Sequence, residues 1–218
     1  MSLAIFDLDY TLINGDSDFL WGEYLSDIGA VNAKEYREKN DFFFNEYKKN
    51  SLDIFEFLNF SLKPLSNYPI EKLNKWHYEF IKEKILPIIS KKALNKVKEH
   101  KKNDDILLVI TATNDFITKP IVKLFGINNL LATRAEFING KYTGKPCGTP
   151  CYGEGKVKNL QKWLKTNNLS LTNSYFYSDS ITDLPLLNLV DNPIVVNADE
   201  KLQNIAKNNN WKILNWLD

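Results

Sequence analysis

Two periodicities divide this chain. Leu3 to Asp7 is continuously apolar up to a terminal aspartate, the pattern of a short buried strand ending in a functional residue. From Ser17 the spacing turns helical: Leu20, Trp21, Tyr24, Leu25 and Ile28 fall on one face, Ser17 can cap the first turn and Gly29 suits the stop. Helical patterns follow over about 32–49, 52–62 and 70–85, punctuated by Asn50-Ser51, Pro64 and Pro69. Nothing between about 14 and 86 reads as a strand, and the stretch is dense in Phe, Tyr and Trp.

Pro87 marks a change. A Lys-rich amphipathic helix over about 90–102 leads through Asn103-Asp104-Asp105 into a second apolar strand, Ile106 to Thr111. Elements then alternate: helix 115–125, strand 130–134, helix 155–166, strand 174–179, helix 182–188, strand 193–197 and helix 200–208. Asn139-Gly140 between "EFI" and "KYT" signals a type I′ hairpin. Alternation of this kind predicts an α/β fold, a doubly wound and mostly parallel sheet covered on both faces, with ligands at the carboxyl ends of its strands. The core is expected from 1–13 and 87–218, and 14–86 is expected to be an all-helical insertion leaving just beyond the first strand, over whatever Asp7 and Asp9 do.

Composition narrows the class. Hydrophobic residues at 44% supply a sizeable core, and a net charge of +1 gives no electrostatic case for nucleic acid or an anionic membrane. The apolar runs are too short to span a bilayer, and no signal peptide is evident. Cys147 and Cys151 have no second Cys/His pair nearby, so reduced thiols in a cytoplasmic protein are expected, with the loop that carries them shaping a site entrance. His77 and His100 lie in predicted helices and receive no catalytic role.

Four polar clusters fall at predicted strand ends or helix starts: "DLDYT" (Asp7, Asp9, Thr11), "ITATN" (Thr111, Ala112, Thr113), "GEGKV" (Lys156) and "YSDSITD" (Asp179, Asp183). A doubly wound sheet brings such ends to one edge. Four carboxylates crowded there would have raised pKa values unless a cation compensated, and Mg²⁺ is the hard, oxygen-preferring ion for the purpose. Because Mg²⁺ favours sites shared with phosphate, the cluster points to phosphoryl chemistry. A carboxylate could be the nucleophile, Lys156 and Thr111 could hold phosphoryl oxygens, and Asp9 could protonate the leaving oxygen and then deprotonate water.

In this order the clusters resemble the motifs of the haloacid dehalogenase (HAD) superfamily: DxDx[T/V], a Ser/Thr, a lysine and DxxxD. The helical insertion resembles the C1 cap of subfamily IB, and "SDFLWGEYL", "ITATNDFITKPI" and "FYSDSITDLPLLNLV" are similar to its phosphoserine phosphatase-like and histidinol-phosphatase-like members. The resemblance covers nearly the whole chain. It implies a Rossmann-like core, a small phosphomonoester as substrate and an aspartyl-phosphate intermediate. Asp7 would be the nucleophile and Asp9 the acid/base. Asp7, the Asp9 carbonyl and Asp179 would hold Mg²⁺, with Asp183 and Thr182 outside them. Thr111, the Ala112 backbone and Lys156 would bind phosphate. Thr182 stands where many members have Asn. An acid on the first cap helix could be Asp16 or Asp18; the late-cap arginine of phosphoserine phosphatases has no counterpart, Arg37 being the cap's only arginine. With Trp21 and the "FFF" run, Phe42 to Phe44, these are the candidates for specificity.

Taken singly, each cluster has an ordinary explanation: Asp-x-Asp as a turn or cap, Lys156 as a solvated helix residue, the cap aromatics as that bundle's own core. The ordinary explanations would have to coincide at successive strand ends. Rival functions are phosphoryl transfer to an acceptor hydroxyl, a lipid-phosphate substrate, or a non-catalytic scaffold for a phospho-ligand, which would be expected to lose one of the four aspartates.

Overall fold

The computed structural model describes residues 2–217. Strand β1, Leu3–Phe6, runs directly into the helical region: α1 (Ser17–Asp27), α2 (Ala33–Lys48), α3 (Ile54–Ser61) and α4 (Ile70–Phe80). The core resumes with α5 (Lys91–Lys102), β2 (Ile106–Asn114), α6 (Asp115–Leu124), β3 (Asn129–Ile138), β4 (Lys141–Cys147) and α7 (Glu154–Asn167). It closes with β5 (Tyr175–Ser178), the short α8 (Leu184–Leu187), β6 (Asn192–Val196), α9 (Glu200–Asn208) and β7 (Lys212–Leu214). The strands form one sheet in the order β4-β3-β2-β1-β5-β6-β7. Every pairing is parallel except β3 with β4.

β1 shows why its sequence is apolar throughout. It is the central strand, and successive side chains point to opposite faces, so both sets must be buried. Ala4 and Phe6 join Val109, Ile117 and Ile121 on the face shared with the helical insertion. Leu3 and Ile5 join Leu108, Leu160, Phe176 and Leu202 on the other.

The insertion leaves and returns at one place. The Asn14 amide donates to the Ile88 carbonyl at 2.8 Å, the Ser90 amide donates to the Leu12 carbonyl at 3.2 Å, and Ile13 bridges Ile89. Its interior is aromatic: Trp21 packs among Tyr24, His77, Phe80 and the core residue Phe116. His77 Nε2 lies 2.9 Å from the Ile117 carbonyl on α6, tying this side of the insertion to the core.

Several expectations are corrected. Asp16, not Ser17, caps α1, accepting from the amides of Asp18 and Phe19. The helix expected to 85 ends at Phe80 and continues as a π turn over Ile81–Ile85 and a 3₁₀ turn over Leu86–Ile88. Pro87 has no amide to continue the α-helical ladder there. The helix expected over 182–188 divides into a 3₁₀ turn at Ile181–Asp183 and α8. β7 has no counterpart in the sequence reading. The hairpin turn is as expected, with Asn139 and Gly140 at φ 50° and 79°. Among the described residues no helix is long and apolar enough to cross a membrane.

Candidate active site

Asp7 follows β1, Thr111 and Thr113 lie at the end of β2, Asp179 follows β5, and Lys156 sits in the first turn of α7. The sheet order makes β2 and β5 the two neighbours of β1, so these ends meet. Lys156 Nζ donates to Asp7 Oδ1 and to the Asp183 carboxylate, each at 2.8 Å. Asp183 is fully buried and also accepts from Ser178 Oγ at 2.7 Å. Thr11 Oγ1 donates to Asp179 Oδ1 at 3.2 Å.

Asp9 turns the other way, towards the start of α1. Its Oδ1 accepts from the Ser17 amide at 2.6 Å and its Oδ2 from Thr113 Oγ1 at 2.9 Å. Thr111 Oγ1 is at 3.5 Å from the same oxygen, a longer and weaker contact. Thr113 is therefore the hydroxyl that orients Asp9; it stood in the "ITATN" cluster without a role. No single-sequence signal distinguishes the two threonines. The pairing of β2 with β3 shifts between Thr111 and Asn114, so simple strand alternation does not predict which hydroxyl points where.

Electrostatically the site is under-neutralised. Burial raises the Asp7 carboxyl to about 7, with Lys156 pulling it down and Asp183 and Asp9 pushing it up. Burial, then Asp16, raises Asp9 to about 6 against its hydrogen bonds from Ser17 and Thr113. Asp179 stands well above the usual carboxylate range through burial and then its neighbours Asp7 and Asp183. Burial alone would lower Lys156, but Asp183 and Asp7 outweigh it and hold the ammonium charged.

A cavity opens from these residues into the helical insertion. Asp16 and Asp18 line it, with Phe19, Phe43, Phe44 and Phe57 forming an apolar wall. Lys156 is the one cationic side chain on its lining among the described residues. Ala112 and Thr182 also line it. Asp18 is buried, its Oδ2 makes no hydrogen bond of acceptable geometry, and its pKa is raised well above the usual range by burial and then Asp16 and Asp9. The Asn114 amide lies near enough to favour its charged form, yet makes no bond of acceptable geometry either.

Two specificity candidates are not brought to the cavity. Trp21 is 1% exposed within the aromatic cluster under the insertion, because its position on α1 faces the bundle's own core. Arg37 pairs with Glu23 at 3.2 Å and Asp27 at 2.6 Å on the outer surface of the insertion. Of the "FFF" run, Phe43 and Phe44 reach the cavity while Phe42 is exposed. Tyr47, whose phenol donates to Ser180 Oγ at 2.9 Å, was not singled out. Cys147 and Cys151 are free thiols; Cys151 is buried, and the adjacent Tyr152 lines the cavity.

Two glycines hold the loop that delivers Lys156, one through its backbone conformation and one through lack of space. Gly153, immediately before α7, sits at φ 51°, ψ −125°, a conformation suited to glycine. A Cβ on Gly155 would stand 2.0 Å from the Pro150 carbonyl oxygen. Gly155→Ala is expected to displace the start of α7, costing about 1–3 kcal/mol as overpacking does, and to cut turnover by roughly tenfold or more because a small misplacement of Lys156 is amplified in rate. Denaturant unfolding and steady-state kinetics check the two effects; unchanged values in both would show that the loop can yield.

Comparison with known proteins places the chain in a family. Residues 4–188 match the model of the haloacid dehalogenase-like hydrolases. A histidinol-phosphatase of Neisseria meningitidis serogroup C is 45% identical over 219 residues, covering 99% of each chain. A crystal structure of a Bordetella pertussis protein of unknown function superposes with a TM-score of 0.94 at 38% identity, covering 99% of each. A phosphoserine phosphatase captured as an analogue of its phospho-aspartyl intermediate shares the fold, with a TM-score of 0.71 at 21% identity over 99% of this chain and 93% of that one.

Proposed function

This chain belongs to the haloacid dehalogenase-like hydrolases and is a phosphatase of that type, and from that premise we propose that it hydrolyses histidinol phosphate through an aspartyl-phosphate on Asp7. The observation that carries the substrate is the cavity, where an acidic, sparsely bonded Asp18 stands beside a phenylalanine wall. A substrate with an ammonium group and a flat imidazole meets both features. The relationship to the Neisseria histidinol-phosphatase supports the same reading. Phosphoserine has no flat group for that wall.

Haloacid dehalogenase-like phosphatases typically use Mg²⁺. The donor chemistry here suits it: buried carboxylates exceed the single ammonium, and all available donors are oxygens. Among the described residues no three His, Cys, Asp or Glu side chains form a complete cation site. The proposed set needs only two side-chain carboxylates, Asp7 and Asp179, and the Asp9 backbone carbonyl, with water and substrate phosphate completing it. Bound there, Mg²⁺ would offset the carboxylate charge and polarise the phosphoryl group.

The protein's own groups divide the work. Asp7 attacks phosphorus, so the Asp7–phosphorus bond forms as the ester bond breaks. Asp9 gives its proton to the departing alkoxide oxygen; a carboxyl raised to about 6 is suited to carrying one near neutral pH. Asp9 then takes a proton from the water that attacks the acyl phosphate, returning Asp7 and freeing phosphate. Lys156 and Thr111, with the Ala112 backbone, hold phosphoryl oxygens. Asp183 fixes Lys156, and Thr182 supports the loop after Asp179. The proposed setting is the cytoplasm.

Phosphate release from a panel of phosphomonoesters, with Mg²⁺ and with EDTA, tests the proposal. Histidinol phosphate should be strongly preferred over phosphoserine and a neutral aryl phosphate. Asp18→Asn should raise KM for histidinol phosphate by about 10- to 100-fold, the range of a charge-assisted hydrogen bond, and leave the aryl phosphate nearly unaffected. Equal effects on both substrates would remove Asp18 from amine recognition.

A further inference from the structure

The insertion is anchored to the core unevenly. On one side His77 meets the Ile117 carbonyl, and Trp21 and Phe80 pack towards Phe116. Elsewhere α3 and the 3₁₀ turn after it, Lys63–Asn67, pack on β4, whereas α2 packs on α1 and, through Phe43, on α3, and its one hydrogen bond to the core among the described residues runs from the Tyr47 phenol to Ser180 Oγ at 2.9 Å. Tyr47 lies at the carboxyl end of α2, and Ser180 directly follows Asp179. Ser180 Oγ also pairs with Thr182 Oγ1 at 2.8 Å and accepts from the Thr182 amide at 3.3 Å. Thr182 thus does its work inside a hydroxyl chain that ends on the insertion.

Resting on the phosphatase reading above, we infer that Tyr47 is a positioning residue that latches α2 of the helical insertion onto the Asp179–Thr182 loop, coupling closure of the cavity to the arrangement of that loop. The geometry favours a latch over a packing role. The phenol bridges two elements with no other polar tie, and its acceptor is itself held by a neighbour. One net hydrogen bond is enough to matter: it shifts an open–closed equilibrium by about two- to tenfold.

The test compares wild type, Tyr47→Phe, Ser180→Ala and the double variant by hydrogen–deuterium exchange and by kinetics on histidinol phosphate and an aryl phosphate. In Tyr47→Phe, exchange should rise by about two- to tenfold both at the end of α2 and over 180–183, while α9 stays unchanged. kcat/KM should fall by a similar factor for both substrates, since a latch acts before the leaving group matters. The double variant should be no worse than the more impaired single variant. Unchanged exchange in either segment, effects that multiply, or a loss confined to one substrate would overturn the latch. If wild type hydrolyses nothing, the phosphatase reading fails while the exchange data still decide whether Tyr47 and Ser180 are coupled.

Discussion

Asp7→Asn is expected to fold normally and to lose phosphatase activity by roughly 10⁴- to 10⁶-fold, the scale seen when a catalytic nucleophile is removed. The amide oxygen is a poor nucleophile, and an acyl phosphate cannot form on it. It can still accept from Lys156 Nζ, which donates to Asp7 Oδ1 at 2.8 Å in the native site. Stability should change little, because burial already raises the Asp7 carboxyl to about 7 and a neutral group there relieves that cost. Rapid acid quench with labelled substrate separates the two aspartates. Wild type should carry label on the protein, Asp7→Asn none, and Asp9→Asn should still be labelled where the leaving group is good enough to depart unaided. Activity of Asp7→Asn within tenfold of wild type would overturn its role as nucleophile.

Much of the core was legible because several of its candidate residues fall at the ends of elements with a clear period. Asp7 ends an apolar run that reads as a short buried strand, and Lys156 opens a helix after a glycine-rich turn. The insertion was legible as helices but not as a surface. Trp21 and Phe43 are both aromatic at helical spacing, yet Trp21 is buried in the bundle and Phe43 lines the cavity. Helical periodicity assigns a residue to a face; it does not say whether that face meets another helix or a cavity. Arg37 failed as a candidate for a related reason: it was chosen as the insertion's only arginine, whereas Glu23 and Asp27, one helix away, claim it. Tyr47 was invisible because its partner lies 133 residues along the chain.

Asp16 shows one residue carrying two duties. Its Oδ1 caps α1 through the amides of Asp18 and Phe19 at 3.0 and 2.9 Å, while the residue lines the cavity. The same helix start gives its Ser17 amide to Asp9. The insertion's first turn therefore orients the proposed acid/base directly, and under that proposal catalytic geometry and substrate selection share one short segment between Asp9 and Phe19.

Lys156→Met is expected to lose about 10²- to 10³-fold in turnover, as removal of a preorganised oxyanion partner does, and also about 3–5 kcal/mol of stability, because it strands buried charge. Lys156 faces both Asp7 and Asp183 at 2.8 Å, and the lining holds no other cation to replace it among the described residues. The loss should depend on pH with a definite sign. The Asp7 carboxyl moves from an ordinary 3.8 to about 7 on folding, with burial raising it and Lys156 restraining it. A carboxyl raised in the folded state contributes stability that is complete below its unfolded value, near pH 4, and is lost as pH rises through its folded value. Without Lys156 the folded value climbs further, so the variant's deficit against wild type should be largest above pH 7 and shrink towards pH 5. Urea unfolding of both proteins in EDTA at pH 5 and pH 8 measures this directly. A deficit equal at the two pH values would mean that Lys156 stabilises the fold by filling space, and that Asp7 does not depend on it for its charge.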